Sequence, residues 1–199
     1  VMLALAMVGD LSMGQPIDQS RRTARLAQWL AQAGGGDQAQ IDAARQVALL
    51  RWSGCTANAD GFMHLLGDDV GGRRAMLAQT LDAAGQRAML RTTPLAQVHC
   101  EVAGDIARTL GLDTAVEQGL RHVFEQFDGQ GRPAGLRHPA VPEVVEAAAR
   151  ERPADRDRQR AEILGNFCDH WGRSRTGATP HSCGDEDEVG AVKRLAEVL

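Results

Sequence analysis

Apolar positions recur every three to four residues along most of the chain, the period of a helix that buries one face. Leu26, Leu30 and Ala33, with Ala27 and Ala31, form a first stripe and predict a helix over 15–33. Pro16 is tolerated in a first helical turn, and Gly34-Gly35-Gly36 ends the stripe. Asp37 is an N-cap for a second helix over 38–53, with Ile41, Ala44, Val47, Ala48 and Leu50 on its apolar side. A loop carrying Thr56 to Asp60 and Gly67-Asp68-Asp69 is expected next, with Asp60, Asp68 and Asp69 as solvated carboxylates or as the N-cap of a helix starting near Gly71 and running over 72–90. Pro94 opens a helix over 94–110, whose Val98, Val102, Ile106 and Leu110 share a face and which Gly111 stops. Val116, Leu120, Val123, Phe124 and Phe127 mark another over 114–127.

Beyond it, residues 128–142 read as a Gly/Pro-rich loop, followed by a helix to about Arg152, a break at Pro153, a densely charged stretch over 154–160 and a helix through Trp171. A Gly/Ser/Thr/Pro-rich loop over 172–184 and a short amphipathic end over 185–199 complete the chain. No strand pattern competes, so the expected fold is all-α. Composition agrees: aromatics are 4%, Tyr is absent and Ala is abundant, as in closely packed helices. The 43% apolar and 24% charged content is that of a globular protein, and the net charge of −4 argues against direct nucleic-acid binding. Cys55, Cys100, Cys168 and Cys183 are scattered, which suits reduced thiols in a cytoplasmic protein. The apolar start ends at Gly9-Asp10, too short for a bilayer and without the basic flank of a signal peptide, so no membrane association is expected. Because the chain begins at Val1 rather than Met, a fragment of a longer protein is expected.

Four segments in order carry a resemblance. They are Met13-Gly14-Gln15-Pro16-Ile17-Asp18-Gln19-Ser20-Arg21-Arg22-Thr23-Ala24; Ala48-Leu49-Leu50-Arg51-Trp52-Ser53-Gly54-Cys55-Thr56-Ala57; His99-Cys100-Glu101-Val102-Ala103; and Glu125-Gln126-Phe127-Asp128-Gly129-Gln130-Gly131-Arg132-Pro133-Ala134-Gly135-Leu136. The last resembles the ERWDGxGYPxGL signature of the HD-GYP branch of HD-domain phosphohydrolases, and the whole resembles a divergent form of that family over roughly residues 3–137. The resemblance implies an HD-domain-like helical bundle over 1–137, with a helical, partly looped extension over 138–199. It also implies a pocket in which His and Asp side chains gather divalent metal ions that activate water against a phosphodiester, cyclic-di-GMP in active members.

Departures from the pattern fall on the ligands themselves. Gln19 stands where the family offers a His, Arg51-Trp52 where it writes its HD pair, and Val123-Phe124 where it writes adjacent histidines; Arg132 replaces the tyrosine of GYP. Arg cannot deprotonate to become a ligand, and Trp, Val and Phe offer no suitable lone pair. A vestigial pocket of Gln19, Arg51, Trp52, His99, His122, Glu125 and Asp128 is therefore expected, without a confident catalytic residue. His99 is read first as a core histidine holding helix to helix, otherwise as a surviving ligand; His122 and Glu125, three apart, as a helical hydrogen-bonded pair. Asp128 is read as a turn residue, and Arg51 as the partner of Glu125 or Asp128, or else as a phosphate binder. No metal site is favoured. The weak candidates are His99, a mononuclear set of His64, Asp68 and Asp69, and a zinc set of Cys168, His170, His181 and Cys183, whose Cys-x-His and His-x-Cys gaps are tighter than usual.

The function these residues suggest is a non-catalytic signalling or regulatory domain that works with other domains or proteins of its pathway and whose old pocket holds a nucleotide or nothing. An active metal-dependent phosphodiesterase and a helical homodimerisation module are the alternatives.

Overall fold

The structure, a computed structural model, describes residues 1–126, 129–137, 139–142, 144 and 145. Eight α-helices follow one another among them: α1 (Met2–Ser12), α2 (Gln19–Ala33), α3 (Gln38–Leu50), α4 (Ala59–Leu66), α5 (Asp69–Leu77), α6 (Ala83–Met89), α7 (Thr93–Thr109) and α8 (Thr114–Arg121). A 3-10 turn at Cys55–Asn58 precedes α4, and no β-strand occurs among the described residues. The fold is an all-α, HD-domain-like bundle.

The second and third helices form its centre. α3 starts where a complete capping box is made: Gln40 N donates to Asp37 Oδ1 at 2.9 Å, and Asp37 N donates to the Gln40 side-chain oxygen at 2.8 Å. Ile41, Ala43, Ala44, Val47, Ala48, Leu49 and Leu50 are all buried. Val47, Leu50, Val116 and Leu120 are each 1% exposed or less, and each contributes about 1.5–3 kcal/mol by leaving water. The opposing face of α2 is made of small residues, Ser20, Thr23, Ala24 and Ala27, which let the two helices approach closely. The expected Leu26–Leu30–Ala33 stripe is only half-buried or exposed. α7 shows the same shift. Its buried positions are His99, Cys100, Ala103, Gly104 and Ala107, while Val98 on the expected face is 39% exposed.

Other differences lie at helix ends. α2 starts at Gln19 rather than 15, because Pro16 sits in a turn whose carbonyl accepts from Gln19 N. α3 stops at Leu50, and residues 51–54 turn into the 3-10 segment. The segment expected as a loop before Gly67 holds α4, and the single helix expected over 72–90 is two, α5 and α6, separated at Gln79, whose φ is +57°. Asp68 does cap α5, its Oδ1 accepting from Gly71 N at 2.8 Å. α8 ends at Arg121, so Val123 and Phe124 lie in a turn instead of a helix reaching 127. The apolar start forms α1 and stays helical through Gly9-Asp10. No helix among the described residues is long and apolar enough to cross a membrane. The elements expected beyond Val145 lie outside the described residues.

Candidate functional site

Arg51, Trp52, His99 and Phe124 come together where the turn after α3 meets the middle of α7. The meeting is tight. A Cβ on Gly54 would lie 2.2 Å from the His99 carbonyl oxygen, and one on Gly9 would lie 2.9 Å from Trp52 Cβ, so neither position has room for a side chain. Gly9 lets α1 rest on Trp52, and Gly54 lets the turn after α3 rest on α7.

His99, 2% exposed, is held from both ring nitrogens. Its Nε2 lies 2.8 Å from the Arg51 carbonyl oxygen, and its Nδ1 lies 3.5 Å from Cys55 Sγ. A carbonyl only accepts, so Nε2 carries the proton and Nδ1 presents its lone pair to the thiol. Cys55 Sγ also lies 3.2 Å from Met13 Sδ. Burial holds the His99 pKa down to about 4, against the opposing pull of the Arg51 carbonyl, with the Arg73 charge lowering it further. Burial pushes the Cys55 thiol up to about 12. At neutral pH both groups are therefore uncharged, and the pair is no thiolate–imidazolium nucleophile. Aromatic rings close over the imidazole: Phe124 at 4.7 Å and Trp52 at 6.4 Å between centroids.

Arg51 is 5% exposed, and its guanidinium carbon sits 4.6 Å from the Trp52 ring centroid. Its charge reaches Asp10, which is wholly buried on α1. Asp10 accepts from Ser20 N at 3.0 and 3.1 Å and from Ser20 Oγ at 2.5 Å, so it caps the first turn of α2 from another helix. Burial raises the Asp10 carboxyl above its usual range, while the Ser20 bonds and Arg51 act to lower it. Gln19, at the start of α2, offers its side-chain oxygen to Arg22 at 3.0 Å.

The signature segment wraps around Glu125, 3% exposed. One carboxylate oxygen accepts from Ala134 N at 2.7 Å and the other from Leu136 N at 2.8 Å. Gly131 passes so close that a Cβ would lie 2.2 Å from Gln126 N. Arg132 donates to Thr92 Oγ1 and, at 3.1 Å, to the Met89 carbonyl, fastening the segment to the chain after α6. Glu125 is thus a loop organiser. The expected helical pair with His122 is not made, because α8 has already ended; His122 Nδ1 is buried without a hydrogen-bond partner. Asp128, Cys168, His170, His181 and Cys183 lie outside the described residues.

Among the described residues no group of three or more His, Cys, Asp or Glu is placed to hold a metal ion. His64, Asp68 and Asp69 are not brought together. His64 lies against Asp60, Asp68 caps α5, and Asp69 pairs with Arg73 at 2.7 Å. Arg73 was not singled out by the sequence. It is fully buried, donates to the Ser12 and Cys55 carbonyls at 3.2 and 2.9 Å, and lies over Phe62. Nor were Asp10 and Cys55. The one hint for Asp10 was a carboxylate in an otherwise apolar helix, where burial requires a partner.

No protein-family model matches the chain, and no curated protein matches it. Among solved structures it is similar in fold to a cyclic GMP-AMP specific phosphodiesterase of V. cholerae, V-cGAP3, with a TM-score of 0.57 and 20% sequence identity. The match covers 98% of this chain and 48% of that one, so the chain spans about half the length of that phosphodiesterase.

Proposed function

We propose that this chain is a regulatory domain with a phosphodiesterase-like fold whose former metal pocket is filled by its own side chains, and that it does not hydrolyse cyclic dinucleotides. The observation that carries this reading is the state of His99, the one family-type His position kept. Its nitrogens face the Arg51 carbonyl and the Cys55 thiol, and rings cover it. The other positions fit a metal no better: Arg51 brings a cation, Trp52 brings no lone pair, and the Gln19 oxygen is engaged by Arg22. Arg51, buried against Trp52, then supplies structure in preference to a phosphate or nucleotide site. In this reading the domain acts in the cytoplasm on other domains or proteins of a signalling pathway.

The experiment is metal analysis together with a hydrolysis assay on cyclic-di-GMP and cyclic GMP-AMP, using the purified full chain. Neither bound metal nor turnover is expected. Stoichiometric iron or manganese, at about two equivalents as in two-metal sites, with turnover abolished by His99→Ala, would establish the active-enzyme reading. That alternative draws on the likeness in fold to V-cGAP3. A homodimer is the third reading, favoured by the exposed Leu3, Met7, Val8 and Leu11 of α1; light scattering giving twice the chain mass would support it.

A further inference from the structure

On the outer side of α2 lies an open groove of about 270 Å³ that shares no residue with the cluster around His99. Arg21, Arg25, Gln28 and Trp29, at helical spacing on α2, form one wall, Arg45 of α3 forms the other, and Ala24 and Leu49 are among the apolar residues lining it. Three arginines thus line one small volume in a chain of net charge −4. Among the described residues no carboxylate lies within ion-pairing distance of Arg21 or Arg25. Arg45 has, among the same residues, only Asp42 at 3.9 Å, an exposed and weak contact. The Arg25 guanidinium carbon stands 5.2 Å from the ring centroid of the half-buried Trp29, which also lines the groove.

Like charges converging without counter-charges repel one another, and an anion between them removes that repulsion. Guanidinium forks match the oxygens of a phosphate in pairs. The indole adds a flat surface on which a ring can stack, and Gln28 adds both a donor and an acceptor for a ring edge. The volume is just below the range of about 300–1,000 Å³ usual for small-molecule sites, which limits the ligand to one phosphate and one ring system.

We propose that this groove is a binding site for a nucleoside monophosphate, with Arg21, Arg25 and Arg45 holding the phosphate and Trp29 stacking the base. The site is independent of whether the former metal pocket is active.

The test is calorimetric titration of the full chain at low ionic strength with AMP and GMP, beside inorganic phosphate and adenosine, with Trp fluorescence followed in parallel. A nucleoside monophosphate is expected to bind more tightly than phosphate or adenosine, to quench fluorescence, and to weaken as salt is raised. Arg21→Gln with Arg45→Gln should weaken binding at least about tenfold. Trp29→Leu should remove the fluorescence change and bring the affinity down to that of inorganic phosphate. Arg21 is exposed and Arg45 only half-buried, so melting temperatures should stay near that of the parent chain and separate lost binding from lost folding. Absence of binding at millimolar AMP and GMP, or binding unaffected by the double arginine change, overturns the proposal. Equal affinity for phosphate and nucleotide overturns the role of Trp29, and binding of acidic peptides or oligonucleotides without mononucleotides overturns the small-ligand assignment.

Discussion

His99 Nε2 donates to the backbone carbonyl of Arg51 at 2.8 Å, joining the middle of α7 to the C-cap of α3. That carbonyl is one of the acceptors a helix leaves open at its C-terminal end, and the imidazole closes it from another helix. Substituting His99 by Ala opens a cavity and leaves the carbonyl without its donor. A loss of about 2–4 kcal/mol is expected from the two effects together, read by urea denaturation at pH 7.

The same histidine sets an acid limit. Its pKa is about 4 in the folded chain against 6.5 when unperturbed. The unfolded chain therefore binds the extra proton first, and stability contributed by neutral His99 is complete above about pH 6.5 and lost progressively as pH falls towards 4. A shift of that size corresponds to about 3 kcal/mol. Asp10, whose carboxyl is raised, works the other way at the lowest pH, because the folded state takes up its proton more readily. Denaturation midpoints in the parent chain should fall between pH 6.5 and 4, and His99→Gln should flatten that slope.

Asp10 supplies the cap that α2 lacks locally, since the Asp18 side chain at the N-cap accepts from no helix amide. Asp10→Ala leaves the buried Ser20 amide and hydroxyl unsatisfied, and a cost of about 2–3 kcal/mol follows. Asp10→Asn keeps an acceptor and should cost less. A thermal melt of the two variants side by side checks the order, and an Asn variant as damaged as the Ala variant would show that the charge near Arg51 matters more than the cap.

Glu125 holds two amides of its own loop. Glu125→Ala should free Ala134 and Leu136 for hydrogen exchange while leaving the amides in the middle of α3 protected. Protection at Ala134 and Leu136 unchanged from the parent would refute the organising role. The global cost should be about 1–3 kcal/mol.

Arg73 is a buried cation with one carboxylate, Asp69, and two carbonyls. Arg73→Ala strands Asp69 and releases the ends of α1 and the 3-10 turn, and a loss of about 3–5 kcal/mol is expected. Arg73→Met with Asp69→Asn should recover much of it, because apolar packing then replaces the pair. Chemical denaturation of the single and double variants measures both.

α3 was legible because its signals are local: Asp37 and Gln40 three residues apart, then an apolar run. α2 and α7 were legible as helices but misread in rotation. Hydropathy weights Leu26, Leu30, Val98 and Val102, whereas burial went, beside the expected Ala27, to Ser20, Ala24, Ala103 and Gly104, whose small size lets backbones approach. The His99 role followed from its place among apolar neighbours. Asp10 could not be found that way, because its partner Ser20 lies 10 residues away, and for Arg73 only the Asp69 pair is local, the Ser12 and Cys55 carbonyls that bury it being distant in sequence. The expected His122–Glu125 pair assumed a helix that stops at Arg121, and Glu125 instead reaches 9 and 11 residues ahead.

The closeness of Gly9 to Trp52 constrains the chain in two separate ways. The contact at Gly9 is with the Cβ and backbone of position 52, which any residue but glycine keeps, so the demand for glycine at 9 does not depend on the indole. The indole instead fills space among Met13, Cys55 and Phe124, and a small side chain at 52 would open a void of the kind that costs about 3–5 kcal/mol when a core Trp is truncated. Position 9 is thus fixed by backbone spacing and position 52 by volume, and a change at one does not relieve the demand at the other.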